Sequence, residues 1–256
     1  MMKRRDILKL LMVGLLVPFK VLAAVWNKPA FETTQLEEAL DALGISNAVD
    51  SQDIEIIAAD RAENGAVVQV EVVSRIPNTE SISILIEGNP TPLIANFSLQ
   101  NGAQGHVVTR VKMAKTSDIK AMIKVGEKIF TYSKNVMVLE DGCGGSDSDR
   151  EFQSSMKMRA KKQGQLTEAK VIIVHPMTTG RSKNSAGELI PAHFIQNINA
   201  TLNGKTVLEM QCGTGISKNP YLTFYLADTN VGDQLVVTWQ DNQGLTGQGN
   251  VAVIQG

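Results

Sequence analysis

The 256 residues include only two cysteines, three histidines and few aromatic rings. Cys143 and Cys212 cannot build a disulfide framework, form no C-x-x-C pair and lack the spacing of a zinc site. There is no nucleophile elbow, phosphate-binding loop, dinucleotide fingerprint or haem-attachment motif. Past the N-terminus no run is long and apolar enough to be a membrane-spanning helix. Basic charge is not in excess either: the formal net charge is −1, which fits poorly with nucleic-acid binding through clustered lysine and arginine.

The N-terminus reads as an export signal. Lys3, Arg4 and Arg5 form a basic head, residues 10–19 are an apolar run too short to span a bilayer, and Val21, Leu22 and Ala23 offer small-residue cleavage positions. Arg4 and Arg5 followed by Asp6, Ile7, Leu8 and Lys9 fit a twin-arginine signal, with Ile7 where phenylalanine is commoner. Removing residues 1–23 takes away five basic side chains and Asp6, leaving 20 basic and 25 acidic ones and a formal charge of −5. The expectation is a signal peptide over 1–23 and a periplasmic product, an oxidising compartment in which an isolated thiol needs an explanation.

The length suits two domains, and the patterning is that of strands. One short helix is expected where Leu36, Ala39, Leu40 and Leu43 recur at helical spacing and Gly44 stops the run. Beyond it Val68, Val70 and Val72 alternate with polar residues, as do Ile82, Ile84 and Ile86, and Leu93, Ala95, Phe97 and Leu99. Turn residues at 63–65, 76–78, 88–90 and 101–102 separate these runs. Between about 139 and 165 the pattern collapses into glycine, serine and charge, which reads as a linker. Strands return at 171–174, along Phe194, Gln196, Ile198, Ala200 and Leu202, and at 206–210 after the hairpin signal Asn203-Gly204. Runs at 221–226, 235–239 and 251–254 complete the set, with residues 241–244 as a turn. The fold class is all-β, two immunoglobulin-like β-sandwich domains joined by a flexible glycine-rich linker. The boundaries are 24–140 and 166–256, with a cysteine arm and linker over 141–165.

The most informative stretch is Asp141-Gly142-Cys143-Gly144-Gly145. Gly142, Gly144 and Gly145 remove side-chain bulk and free the backbone around the thiol, whereas a structural cysteine is usually a small buried hydrophobe. Glu140, Asp141 and Asp147 disfavour the thiolate, and no neighbouring histidine or lysine activates it. Such a thiol suits activation inside another protein's active site better than self-activated catalysis.

Residues 26–145 resemble SoxY, the substrate-carrying subunit of the sulfur-oxidation system. The resemblance lies in residues 26–31, 63–68, Asn89-Pro90 with residues 95–97, residues 109–113, and Gly142-Cys143-Gly144-Gly145. Residues 156–256 resemble its companion subunit SoxZ, through His175-Pro176-Met177, Thr179-Gly180, residues 190–195, Asn203-Gly204-Lys205, Ser217-Lys218-Asn219-Pro220 and Val237-Thr238-Trp239. The resemblance implies a non-enzymatic carrier with no cofactor or metal of its own and with Cys143 as the covalent attachment site. A c-type cytochrome would join thiosulfate to that thiol and a manganese-dependent hydrolase would release sulfate. The remaining sulfur would be oxidised by a molybdenum dehydrogenase or passed elsewhere, and the two halves would dock on each other. Two features depart from the pattern: Asp141 stands where the family has glycine, and about 110 residues follow Cys143 where the arm normally ends the chain. Slack over residues 146–165 would let a loop enter a partner's cleft; the rival is proteolytic cutting within 147–162.

The other candidates have plainer readings. His175 and His193 have no carboxylate or cysteine at ligand spacing in the sequence and read as structural or interface residues. His106 reads as a strand-end residue and Cys212 as core packing, with a second reactive thiol as its alternative. Arg181 and Lys183 read as a solvated loop. A thiol-dependent sulfurtransferase and an adhesive tandem sandwich are the competing functions, and a disulfide dimer through Cys143 is compatible with any of the three.

Overall fold

The computed structural model describes residues 25–140, 153–184 and 186–256. The signal segment 1–23 and the stretch holding Asp141, Gly142, Cys143, Gly144 and Gly145 lie outside the described residues. In chain order the first half comprises α1 (Lys28–Glu32), α2 (Leu36–Ala42), β1 (Val49–Asp50), β2 (Ile54–Ile57), β3 (Arg61–Asn64), β4 (Val68–Ser74), β5 (Ser81–Ile86), β6 (Leu93–Leu99), β7 (Ala103–Val111), β8 (Ser117–Val125) and β9 (Lys128–Glu140). The second half comprises β10 (Ser155–Gln163), β11 (Leu166–Val174), β12 (Ile195–Leu202), β13 (Lys205–Cys212), β14 (Tyr221–Leu226), β15 (Gln234–Asp241) and β16 (Thr246–Gln255).

Period-2 alternation does most of the folding work. Val68, Val70 and Val72 bury one face of β4, and the opposite face carries Gln69 and Glu71. Both faces are buried along β5 and at the start of β6. Ile82, Ile84 and Phe97 enter the main core, while Leu85 and Leu93 lie under the helices with Phe31, Ala39, Met122 and Ile129. α1 is the helix the sequence reading missed. It is only 5 residues long, too short to show a periodicity, and Asn27 caps it by accepting from the Ala30 amide.

The two halves are continuous in hydrogen bonding. One layer runs β9-β8-β5-β6-β13-β12-β15, and the other runs β10-β11-β14-β7-β4-β2. β16 joins them, pairing antiparallel with β15 and parallel with β10. Two antiparallel seams cross from one half to the other, β6 with β13 and β7 with β14. Phe97 lies opposite Met210 in the first and Thr109 opposite Leu222 in the second. One core of buried residues fills the space behind both seams. Close approach at the first seam fixes Gly213, where a Cβ would lie 2.9 Å from both the Leu93 carbonyl oxygen and the Phe31 ring.

The linker reading over 139–165 needs correction at both ends. β9 continues to Glu140, and β10 begins at Ser155. Met156, Met158 and Ala160 turn inward from β10 while Lys157 and Arg159 are exposed. Dense positive charge on the outer face masked an ordinary alternation. Residues 141–154 separate the two strands in sequence.

Candidate functional site

The strand that leads to Cys143 is held to the body up to Glu140. β3 runs parallel to the end of β9, with Arg61 opposite Met137 and Asn64 opposite Glu140. The Gly65 amide donates to the Glu140 carbonyl at 2.9 Å, and the Met137 amide donates to the Asp60 carbonyl at 3.0 Å. On the other side, the Val138 amide donates to Thr116 Oγ1 at 2.9 Å. The turn after β3 is set by Asn64, whose Oδ1 accepts from the Ala66 amide at 2.7 Å.

That root is stitched to both halves. The Met113 amide donates to the Gly65 carbonyl at 2.7 Å, and Ser217 of the second half donates its hydroxyl to the Ala66 carbonyl at 2.9 Å. Next to it, the Lys112 amide donates to the Gly215 carbonyl at 2.6 Å. The Lys112 ammonium donates to the carbonyls of Thr214, at 3.2 Å, and Met177. Lys112 and Ser217 both lie in stretches quoted for the family resemblance, and their role is to lock the seam beside the arm root. Cys143 itself, three residues on in sequence, is outside the described residues.

The fold also assembles a group whose third member the sequence did not reveal. His175, His193 and Asp241 place their ligand atoms within 4.8 Å of one another. Asp241 is fully buried at its side chain, and its Oδ2 lies 2.7 Å from His193 Nε2 and 3.3 Å from His175 Nε2. Its Oδ1 accepts from the amides of Leu245 and Gln243, at 2.8 and 2.9 Å. Burial works to raise the Asp241 pKa, but the bonds from His193, His175 and the two amides outweigh it and hold the carboxyl below its ordinary value. Burial pushes His175 down to about 4, against the opposing bond to Asp241. The ring is therefore neutral at pH 7.

The donor set argues against a metal at this cluster. His175 Nδ1 faces the Met177 amide at 3.2 Å and must accept from it, which puts the ring proton on Nε2, facing Asp241. A metal on Nε2 would move that proton to Nδ1, against another N–H. The cluster is a hydrogen-bond hub that ties the loops at 175–178 and 191–193 to the end of β15. The structural reading of the two histidines agrees with this geometry. Asp241 was hidden because it reads locally as a turn residue.

The remaining candidates are placed plainly. Cys212 is completely buried, and burial raises its thiol pKa. It packs in the main core, as expected. His106 is not at a strand end: it sits inside β7, with Nε2 2.6 Å from Glu71 and its ring stacked on Tyr225 at 4.1 Å. Arg181 and Lys183 are exposed in the loop before β12.

An all-β chain whose two halves share both sheets, and whose two halves are joined in sequence by a thiol-bearing stretch, defines a fused two-unit protein. Comparison with protein families gives the same division: residues 40–143 match SoxY, the sulfur oxidation protein, and residues 156–252 match SoxZ, the sulphur oxidation protein. The chain belongs to these two families, one in each half, as a SoxY–SoxZ fusion. Among solved structures it is similar to the sulfur carrier protein SoxY from Chlorobium limicola f thiosulfatophilum, at 34% identity and a TM-score of 0.38, covering 40% of this chain and 94% of that one. A β-glycosidase from Bacteroides vulgatus is similar at 11% identity and a TM-score of 0.26, covering 85% of this chain and 26% of that one. No curated protein matches the chain.

Proposed function

We propose that the chain is a periplasmic carrier that holds thiosulfate-derived sulfur on Cys143 and presents it to separate enzymes. What carries the reading is the co-occurrence of SoxY and SoxZ in one polypeptide with a glycine-flanked cysteine three residues beyond an anchored strand end. The carrier needs no cofactor, because the redox and hydrolytic steps belong to its partners.

In the first step the Cys143 thiol and thiosulfate form a sulfur–sulfur bond, losing one proton and two electrons to a partner c-type cytochrome. In the second, water cleaves the bond between the outer sulfur and the sulfonate at a manganese-dependent hydrolase, releasing sulfate and leaving a persulfide on Cys143. A molybdenum dehydrogenase is the partner class suited to oxidising that persulfide. The acidic residues Glu140, Asp141 and Asp147 near it in sequence disfavour the thiolate, which leaves activation to a partner site.

Entry into a partner is as a loop. Residues 155–162 lie in β10, paired with β11 along the whole strand and with β16 at its end, so cutting that restored a free tail would have to fall within 147–154. Intact-mass spectrometry on protein isolated without reductant from cells oxidising thiosulfate tests the carrier reading. The expected result is an uncut mature chain with reducible added mass matching sulfur or thiosulfate, absent from a Cys143→Ser variant. An unmodified chain from such cells would overturn the carrier reading; a chain cut within 147–154 would overturn the loop.

A further inference from the structure

The outer surface of the first seam carries two polar rows. Asn96 of β6 lies opposite Gln211 of β13, which lies opposite Asn197 of β12. One step along, Ser98 lies opposite Glu209, and Glu209 opposite Asn199. These six residues, drawn from both halves, line a cleft of about 110 Å³ with Ile198 and Met210. None of the lining residues is cationic or aromatic.

Asn199 is the anomaly. It is only 6% exposed, and neither its Nδ2 nor its Oδ1 has a hydrogen-bond partner. A buried polar group left unpaired is costly, and native proteins keep few of them. Its neighbours are engaged: Asn96 accepts from the Ser83 hydroxyl at 2.9 Å. Gln211 donates to the main-chain carbonyl of Val25, also at 2.9 Å, so the row already grips one stretch of backbone.

We propose that this cleft is a binding site for the backbone of an extended peptide segment from a partner protein, with Asn199 as its central contact. Asn199 offers a donor and an acceptor side by side. One residue of an extended chain presents its N–H and C=O on the same side, the pattern that strand ladders use. Such a residue satisfies both Asn199 atoms at once, which a cation or an anion does not. The Glu209 carboxylate turns anions away, so the site is distinct from any that would hold the sulfur cargo, and it favours a neutral or basic segment. Because the lining comes from both sides of the seam, occupancy clamps β6 against β13.

The test uses the full-length chain, with N-acetylalanine N-methylamide as the probe and sulfate and glycerol as controls. The Asn199 side-chain amide signals, followed by 15N NMR, are expected to shift saturably with the peptide probe and not with sulfate or glycerol. Hydrogen exchange of the β6 and β13 seam amides is expected to slow as the probe binds. An Asn199→Leu variant is expected to bind at least tenfold more weakly, read from the Gln211 side-chain signal, while melting no lower than the parent because the unpaired amide is gone. No saturable shift, as when the cleft keeps ordered water, or an equal response to glycerol, overturns the proposal. Should the variant misfold, the comparison of probes on the parent chain still decides it.

Discussion

Asp241 sits 2.7 Å from His193 through Oδ2, although the sequence separates the two by 48 residues. The same oxygen takes His175, and the second oxygen takes two backbone amides. Removing the carboxylate therefore strands four donors at once. We expect Asp241→Ala to destabilise the chain by about 3–5 kcal/mol, the range for breaking a buried charged group away from its partners. Urea unfolding followed by circular dichroism would measure it, and a loss under 1 kcal/mol would mean that water replaces the hub.

Acid should find this hub first. His175 has a folded pKa of about 4 against an ordinary 6.5, so the unfolded chain binds the proton that the folded chain refuses. The stability that this group contributes is complete above the unfolded value and declines as pH falls from about 6.5 towards 4. Asp241, held below its ordinary pKa, adds a second loss at still lower pH. The His175 share is on the order of 3 kcal/mol. Urea midpoints across this window should fall with acid, and in a His175→Gln variant the decline between 6.5 and 4 should flatten. An unchanged slope in the variant would assign the acid sensitivity elsewhere.

The two thiols should behave as different chemical species. Cys212 is fully buried and its thiolate is disfavoured by that burial, whereas Cys143 follows an anchored strand end in glycine-rich surroundings. A disulfide reagent at neutral pH should therefore titrate one thiol in the native chain and two in denaturant. Native Cys143→Ser protein should give none. Prompt labelling of that variant under native conditions would show Cys212 to be the second reactive thiol weighed as its alternative role.

Local patterns carried much of the fold into view. The alternation of Val68, Val70 and Val72 and the Asn203-Gly204 turn, with positive φ at both residues, are decided within a few residues and were legible. β10 was not, because Lys157, Arg159, Lys161 and Lys162 made an amphipathic strand look like a charged linker. Asp241 was not, because its partners lie 48 and 66 residues away. The seams were not, because a strand that pairs across two units alternates like any other: nothing in Phe97 or Met210 says which strand stands opposite. The Cys143 stretch was conspicuous because its glycines fit neither a core nor a strand.

The shared sheets make a claim that can be tested on the whole chain. Two sandwiches that merely touch would unfold separately, whereas two that exchange main-chain hydrogen bonds across β6–β13 and β7–β14 should unfold as one. Phe97 is fully buried on the first-half side of a seam, opposite Met210. Phe97→Ala should cost about 3–5 kcal/mol, and the loss should appear in the second half as well. The chain has two tryptophans, so a Trp26→Phe background leaves the fluorescence of Trp239 to report on the second half alone. In that background the Trp239 transition should move to lower urea with Phe97→Ala, in step with the circular dichroism of the whole chain. A Trp239 transition that stays in place while the circular dichroism shifts would mean that each half keeps a stability of its own.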